Sequence, residues 1–331
     1  MLQRVGLLLL VASLVLVGAS AQQAAPSGQQ PEAAVTSRPQ SFAQGLRKTV
    51  GFMRVTYLEQ GLLKQIAGTC FFVYFEDSRL GKERGFAYLV TNRHMAVPGI
   101  EKGFSYPVQQ VSLRLNLHSP EGGKESFEGN IPLGETIHWF FPIDEGVDLA
   151  VLPVSPDEKR FDYLPINLSM LATKDKVESA NIDPGDNVVF AGYFYQFGGE
   201  KKIQPIVREG VLAMMPDEEI KTTLQKPGHL YLADVHAFHG NSGSPVLVNA
   251  GGVRNGSISP SNYLLLGVIS GYYPEGEIFS VPAAVLTAEV HDNSGIATVV
   301  PAYELKALLD SAPLQAARDA IVAKETKHGL P

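Results

Sequence analysis

The chain has 331 residues, of which 45% are hydrophobic and 18% are charged, and its formal net charge is −7. A chain of this length forms one large domain or two modest ones, and its 32 Gly, 22 Pro and 12 Tyr suit short strands joined by tight turns. A nucleic-acid partner is excluded, because phosphate binding requires a concentrated basic face and the sequence has no long run of Lys or Arg.

The first residues predict export from the cell. Arg4 precedes an apolar run over 5–18, and Ala19-Ser20-Ala21 provides small residues before a cleavage point at Gln22. This pattern is typical of a secretory signal peptide over 1–21. The run is shorter than the roughly 20 residues of a membrane-spanning helix. We therefore expect a secreted or periplasmic protein without stable membrane insertion after cleavage; an uncleaved anchor is the alternative.

The cysteine content gives a second indication of the compartment to which the protein is exported. Cys70 is the single cysteine, so no internal disulfide bond is possible. Small exported animal domains usually depend on disulfides, and the absence of one favours bacterial export. Cys70 lies in an apolar run over 69–75, where a buried structural thiol is expected.

The segment after the signal peptide starts with a stretch rich in Gln, Ala, Pro and Ser, which predicts a disordered linker over 22–48. Short β-type runs separated by turn residues follow it. Regularly spaced runs of this kind favour an all-β sandwich or barrel over a parallel α/β sheet. The predicted strands lie at 68–75, 85–91, 108–117, 147–154, 187–195, 206–215, 230–236, 244–248 and 263–270.

A proline-containing connection over 156–186 divides these strands into two groups. We therefore expect an N-terminal β-barrel over 49–155 and a C-terminal β-barrel over 187–300. A helical pattern begins after Pro301, interrupted at Pro313, and predicts a C-terminal helical segment over 301–331. This segment is expected to pack against the second barrel.

The string Gly-Asn-Ser-Gly-Ser-Pro-Val over 240–246 points to acyl-transfer chemistry. Glycines that flank a serine in a tight turn allow backbone N–H groups to face a substrate carbonyl. Ser242 is therefore the candidate nucleophile, and the N–H groups of Gly240 and Ser242 are the candidate oxyanion hole. A Gly, Ser and Asn turn between strands is common in proteins, so the string requires support from a base elsewhere in the chain.

A serine nucleophile requires a histidine base that is oriented by a carboxylate. His94 ends the run Tyr-Leu-Val-Thr-Asn-Arg-His over 88–94, which places its imidazole at a strand end rather than in a core. His138, His229 and His291 lack this setting. The alternative is a solvated turn histidine.

The candidate carboxylate lies in the string Gly-Val-Asp-Leu-Ala-Val-Leu over 146–152. An unpaired charge in such an apolar context is costly, so Asp148 is expected to have a partner. Asp144 is the fallback, and a turn or strand-capping carboxylate is the structural alternative for Asp148.

The three candidates occur in the order His, Asp, Ser, and in this order the chain resembles the trypsin-like serine peptidases. Within them it is similar to the disulfide-free bacterial branch that includes HtrA-type and glutamyl endopeptidase-type enzymes. The resemblance covers roughly 51–309 and includes Gly-Val-Ile-Ser-Gly over 267–271. It implies two packed antiparallel β-barrels of the chymotrypsin-like kind with a C-terminal helix.

The resemblance also implies the substrate cleft. It assigns Ser270, Gly271 and Tyr272 to a strand beside the bound peptide. His236 and His239, which lie just before the candidate nucleophile, are expected together with Ala237 to shape the wall of the specificity pocket.

Two departures from the family limit what the resemblance implies. Asn241 replaces the Asp of the animal digestive branch, which excludes that branch's activation switch. Ile269 replaces a His of the glutamyl-specific enzymes, so Glu specificity is not predicted.

No cofactor and no metal site are predicted. Asp234, His236 and His239 precede the candidate nucleophile, but a spacing of three between histidines suits ligands on a helix better than on a strand or loop.

The predicted function is peptide-bond hydrolysis through an acyl-enzyme, with protein or peptide substrates and with activity that falls on the acid side of neutrality. A catalytically silent peptide-binding protein on the same double barrel is the main alternative. A third possible function is that of an acyl hydrolase that does not act on peptides.

Overall fold

The structure, a computed structural model, describes residues 41–121, 128–133, 137–254, 257–280 and 287–327. The signal peptide predicted over 1–21 and the linker up to residue 40 lie outside the described residues.

The first half of the chain forms one antiparallel sheet with the order β5-β4-β1-β2-β3-β6. The hairpin between the first two strands turns at Gln60-Gly61, where both residues have positive φ, as a two-residue type I′ turn requires. A short seventh strand runs parallel to β2. The strands are β1 (Val50–Glu59), β2 (Leu62–Glu76), β3 (Gly85–Thr91), β4 (Val108–Asn116), β5 (Glu128–Pro132), β6 (Ala150–Pro153) and β7 (Ile166–Asn167).

The second half forms a closed barrel with the order β12-β17-β16-β13-β8-β9. Two small hairpins, β10-β11 and β14-β15, project from it. The strands are β8 (Asn187–Gly192), β9 (Ile206–Met214), β10 (Glu219–Lys221), β11 (Pro227–His229), β12 (Tyr231–Asp234), β13 (Pro245–Asn249), β14 (Gly252–Arg254), β15 (Ser257–Ser259), β16 (Tyr263–Ser280) and β17 (Thr287–Pro301).

Helices are few and lie at the ends and connections. Within the described part of the chain, no helix is long and apolar enough to span a membrane. The α-helices are α1 (Phe42–Lys48), α2 (Arg93–Ala96), α3 (Lys174–Ser179), α4 (Ala302–Leu309) and α5 (Ala312–Lys327), and the 3-10 turns are Ser78–Leu80, Ile100–Lys102 and Leu168–Met170.

Three groups of buried apolar side chains hold these elements together. One fills the first sheet and includes Cys70 and Phe72, and a second fills the closed barrel and includes Phe190. The third lies between the two β units and extends to Leu305 of α4 and Leu314 of α5. Because the third group joins both units, burial of its apolar surface fixes one unit against the other.

The predicted all-β class, with two β units followed by helices, is confirmed. The buried structural role of Cys70 is also confirmed, and burial raises the pKa of its thiol to about 12. The prediction of disorder is wrong over 42–48, which form α1. The side chains and backbones of Ser41 and Gln44 bond reciprocally at its start, a capping box that stabilises a helix end.

The expected packing of the C-terminal segment is correct for α4 and wrong for α5. Helix α4 contacts β16 and β17 of the second barrel, whereas α5 lies against the Ser78–Leu80 turn of the first β unit. Arg318 of α5 explains the difference, since its buried guanidinium donates to the Tyr88 hydroxyl of β3 at 3.1 Å.

Candidate active site

The predicted base and carboxylate meet at the edge of the first sheet. His94 lies on α2, the single helical turn that follows β3, and Asp148 lies two residues before β6, which pairs with β3. The His94 Nδ1 atom is 2.7 Å from Asp148 Oδ2, and the His94 backbone N–H donates to Oδ1 at 3.0 Å. Asn92 donates from its side-chain amide to the Asp148 carbonyl oxygen at 2.9 Å. Both His94 and Asp148 are therefore held by the chain around them.

The fallback carboxylate does not take part in this contact. Asp144 Oδ1 accepts from the Gly146 N–H at 2.7 Å, so this side chain closes a turn before Asp148.

Burial and mutual attraction oppose each other in this pair. Burial alone lowers the pKa of His94, but the charge and hydrogen bond of Asp148 outweigh it, so the His94 pKa lies above its ordinary value. Burial likewise raises the pKa of Asp148, but His94, Ser270 and the His94 backbone N–H outweigh it and hold that pKa below its ordinary value. Asp148 is thus ionised at neutral pH although its side chain is 0% exposed.

Sequence reasoning missed a hydroxyl partner of the carboxylate. Ser270, expected only as a cleft residue, is 1% exposed, and its Oγ lies 2.7 Å from Asp148 Oδ2. The same Oγ lies 2.8 Å from the Thr223 hydroxyl. No sequence signal links these residues, because they come from β16 and from the tip of the β10-β11 hairpin.

The predicted nucleophile lies on the turn between β12 and β13. This turn is closed by a bond from the Asn241 N–H to the Phe238 carbonyl oxygen at 2.9 Å, with φ of 96° at Gly240. A positive φ at the third position defines a type II turn and favours glycine there. Gly243 also has positive φ, and a Cβ on it would lie 2.0 Å from the Thr69 carbonyl oxygen. The two glycines are therefore required by the backbone path around Ser242.

The backbone N–H groups of this turn divide into two kinds. Those of Asn241, Gly243 and Ser244 donate to protein carbonyls. Those of Gly240 and Ser242 have no acceptor among the described residues. These two are the groups expected to form the oxyanion hole.

Thr69 of β2 connects the turn to the first sheet. Its N–H donates to the Ser242 carbonyl oxygen at 2.9 Å, and its hydroxyl donates to the Gly240 carbonyl oxygen at 2.8 Å. The same hydroxyl accepts from the Tyr193 N–H at 2.9 Å. Asn241 adds a bond from its amide to the Tyr193 carbonyl oxygen at 2.8 Å.

Ser242 and His94 line the same cleft of about 640 Å³. The Ser242 hydroxyl donates to the Ser270 carbonyl oxygen at 3.4 Å. Among the described residues no hydrogen bond joins this hydroxyl to His94. The structure thus brings His94 and Asp148 together and places Ser242 beside them without a bond to the base.

Most of the predicted substrate-binding residues lie in this cleft. The cleft is lined by Ser270, Gly271, Tyr272 and Ala237, and also by His239, which was expected in the wall of the specificity pocket.

The structure does not place His236 in the cleft lining. Its side chain is exposed and stacks on Phe238. A Cβ on Gly295 of β17 would lie 3.6 Å from its ring, so His236 lies against β17 instead.

Comparison with known proteins gives the family. A family profile described as "Trypsin-like peptidase domain" matches residues 68–253. The match covers more than half of the chain, and the chain belongs to this family of peptidases. No curated protein sequence matches it.

Two solved structures align with this chain at low sequence identity. A structure titled "Crystal structure of Deg5" is 17% identical, with a TM-score of 0.40, and the match covers 69% of this chain and 81% of that one. A structure titled "HtrA-type protease AlgWS227A with decapeptide" is 14% identical, with a TM-score of 0.42, and the match covers 81% of this chain and 63% of that one.

Proposed function

We propose that this protein is an exported serine endopeptidase that hydrolyses peptide bonds through an acyl-enzyme. The observation that carries the proposal is the buried pair of His94 and Asp148, joined at 2.7 Å, at a cleft that Ser242 also lines. Its membership of the trypsin-like peptidase family supports protein or peptide substrates. No cofactor or metal takes part in the proposed reaction.

In the first step, His94 accepts the Ser242 proton through Nε2. Asp148 Oδ2 accepts the hydrogen on Nδ1, which leaves Nε2 unprotonated and able to act as a base. Ser242 must first rotate away from the Ser270 carbonyl oxygen, which it now contacts at 3.4 Å. Catalytic hydrogen bonds are often long or absent until substrate binds.

The attack of Ser242 on the substrate carbonyl produces a negative oxygen. The N–H groups of Gly240 and Ser242, unpaired among the described residues, are oriented by the turn to donate to that oxygen. His94 then gives its proton to the leaving amine, and water releases the acyl group in a second cycle of the same kind.

The substrate backbone is proposed to lie along the segment Ser270 to Tyr272. This segment starts at a β-bulge, because the pairing register of β16 with β17 shifts between Ile269 and Gly271. It also lines the cleft. An extended peptide that pairs with such a strand gains main-chain hydrogen bonds.

A catalytically silent peptide-binding protein is the second candidate. One observation favours it: the Ser242 hydroxyl bonds the Ser270 carbonyl oxygen rather than His94. Tyr272 and Tyr273, which also line the cleft, are suited to holding a peptide without cleavage.

A fluorophosphonate probe distinguishes the two candidates. We expect purified mature protein to gain one probe mass per chain, and Ser242→Ala to gain none. Ser244→Ala is the matched control and should label like the wild type. Ser244 lies in the same string, but its buried hydroxyl has no hydrogen-bond partner in the part of the chain that the structure describes. Folded protein that takes up no probe would exclude the hydrolase and favour the binding protein.

Export to the periplasm or the medium is proposed from the sequence of residues 1–21. We expect the exported protein to begin at Gln22, which N-terminal sequencing reads directly. Retention of the first 21 residues would instead indicate an anchor.

A further inference from the structure

A chain of side-chain hydroxyls extends from the carboxylate toward the β10-β11 hairpin. Ser270 Oγ lies 2.7 Å from Asp148 Oδ2 and 2.8 Å from Thr223 Oγ1. Asp148 Oδ2 is also the atom that lies 2.7 Å from His94 Nδ1. Thr223 is thus the outermost member of a four-residue series that ends at the base.

The number of hydrogens fixes the direction of these bonds. An ionised Asp148 only accepts, and a serine hydroxyl carries one hydrogen. If that hydrogen pointed to Thr223, two oxygens without a hydrogen between them would face each other at 2.7 Å. Ser270 therefore donates to Asp148, and Thr223 donates to Ser270.

The tip of the hairpin, residues 222–226, is held firmly enough to place this hydroxyl. The Thr222 N–H donates to the Lys226 carbonyl oxygen at 2.8 Å, and the Gln225 N–H donates to the Thr222 carbonyl oxygen at 2.9 Å. Leu224 is 4% exposed, and Lys226 pairs with Glu145 of the first β unit.

Thr223 also lies directly beside the predicted substrate strand. A Cβ on Gly271 would lie 3.0 Å from the Thr223 hydroxyl. The hairpin tip therefore touches both the substrate strand and the carboxylate network.

We propose that Thr223 is a positioning residue for catalysis, whose hydroxyl holds Ser270 as a donor to the carboxylate that orients His94. The inference rests on the proposed peptidase function and adds the hairpin tip to the residues that set the strength of the base.

Removal of the Thr223 hydroxyl is expected to raise the pKa of His94. A hydroxyl that accepts a hydrogen bond becomes a stronger donor, by about 10–30% per bond. Without Thr223, Ser270 donates more weakly and Asp148 Oδ2 retains more negative charge. That charge favours the protonated form of His94, so the His94 pKa rises further.

Other charged groups near the pair are unchanged by a substitution at Thr223. They lie on every element packed around it: Arg93 on α2, Glu101 on the following 3-10 turn, Asp144 and Glu145 before β6, Lys221 and Lys226 on the hairpin, and His239 on the nucleophile turn.

The test compares Thr223→Val, which keeps the side-chain shape, with Thr223→Ser, which keeps the hydroxyl. For Thr223→Val we expect kcat on the acid limb to fall about two-fold, as a rise of about 0.3 units in the His94 midpoint requires, with KM unchanged within that factor. The midpoint of the acid limb of kcat/KM should move up by about 0.3 pH units. Proton NMR titration of His94 should show the same upward move without any need for turnover.

Thr223→Ser should restore both values. Thr222→Val is the matched control, and the His94 midpoint should not move in it. The Thr222 hydroxyl is buried on the same tip and has no hydrogen-bond partner within the described ranges. Thr223→Ala repeats the test should the valine variant not fold.

Two results would overturn the inference. An unchanged midpoint with lower activity would mean that Thr223 only supports the fold, and a downward move would mean that Ser270 donates to Thr223. Neither result is confused with failure of the peptidase proposal, since that failure appears as absence of probe labelling at Ser242 in the wild type.

Discussion

The imidazole of His94 must be neutral to act as a base, yet Asp148 stabilises its protonated form. The Nδ1 to Oδ2 contact of 2.7 Å and the burial of the carboxylate make this attraction strong. The attraction of Asp148 has the larger effect, so the pKa of His94 lies above its ordinary value and the neutral base forms only at higher pH.

We therefore expect activity to fall with decreasing pH from a midpoint above about 6.5, the unperturbed value for histidine. The rate of fluorophosphonate labelling between about pH 5 and 9 measures this midpoint without a known substrate. A rate that is flat over this range, or a midpoint below 6.5, would contradict His94 as the base.

Folding stability has the opposite dependence on pH. Because the His94 pKa is raised in the folded state, its pairing stabilises the fold fully below the unfolded pKa, and this stabilisation is lost as pH rises through the folded pKa. The form with neutral His94, which is expected to be the most active, is thus not the protonation state in which the pair stabilises the fold most.

Asp148→Asn should remove activity while preserving the fold. The amide would offer an N–H to His94 Nδ1, which forces the hydrogen onto Nε2 and leaves no base for Ser242. A loss of about 10⁴-fold in kcat is expected for this change of tautomer.

Asp144→Asn is the control for Asp148→Asn, since its oxygen can still accept from the Gly146 N–H. Equal losses in both variants would contradict the assignment of the carboxylate.

At the scale of elements, the nucleophile turn depends on a strand of the other β unit. Thr69 of β2 contacts both Gly240 and Tyr193 through one hydroxyl. The shape of the proposed oxyanion hole would thus depend partly on the first sheet, although both of its N–H groups come from the second unit.

Thr69→Val keeps the shape of the side chain and removes these two bonds. The Tyr193 N–H and the Gly240 carbonyl oxygen would lose their partner, at a cost of about 1–3 kcal/mol in unfolding free energy. We expect slower probe labelling together with a lower midpoint in urea unfolding. Thr69→Ser should recover most of both losses, and normal labelling in Thr69→Val would show that the turn is held without it.

The sequence predicts the elements whose signals are local. The β run before His94 and the glycines around Ser242 follow from strand propensity and turn geometry. The capping box at Ser41 and Gln44 is equally visible in the sequence, and it would have limited the predicted linker to residues before α1.

Contacts between distant segments were not predictable in this way. Ser270 meets Asp148, and Thr223 meets Ser270, only after the barrel and the hairpin have formed. The same holds for β17, whose partner strands β12 and β16 are known only from the folded sheet. The position of His236 was not predictable either, because Ala237, Phe238 and His239 all line the cleft while the neighbouring His236 does not.

At the scale of the whole molecule, the C-terminal helices connect the two β units. Helix α4 packs on the second barrel and α5 on the first β unit. Arg318 of α5 is 3% exposed; it donates to the Tyr88 hydroxyl of β3 at 3.1 Å and to the Leu309 carbonyl oxygen of α4 at 2.9 Å. Its guanidinium also lies 4.2 Å from the centre of the Phe75 ring. One side chain thus joins both helices to the sheet that leads to His94.

Arg318→Met should destabilise the protein without changing the chemistry of the site. Hydrogen bonds from a charged donor contribute about 1.5–3 kcal/mol, and methionine retains much of the apolar contact, so we expect a loss of about 2 kcal/mol. For a chain of this size the melting temperature should fall by about 3 °C. Probe labelling at 25 °C should stay at the wild-type rate, because Arg318 does not line the cleft.

Asp319→Asn is the control for Arg318→Met, since this neighbouring side chain on α5 is 60% exposed and pairs only at the surface with Arg79; its melting temperature should stay within about 1 °C of the wild type. If Arg318→Met melted at the wild-type temperature, the bonds of Arg318 would not stabilise the fold, and α5 would only be attached to the surface of the first β unit. If it lost labelling at 25 °C while folded, the support from α5 would reach the catalytic pair through β3, and the helices would belong to the functional unit.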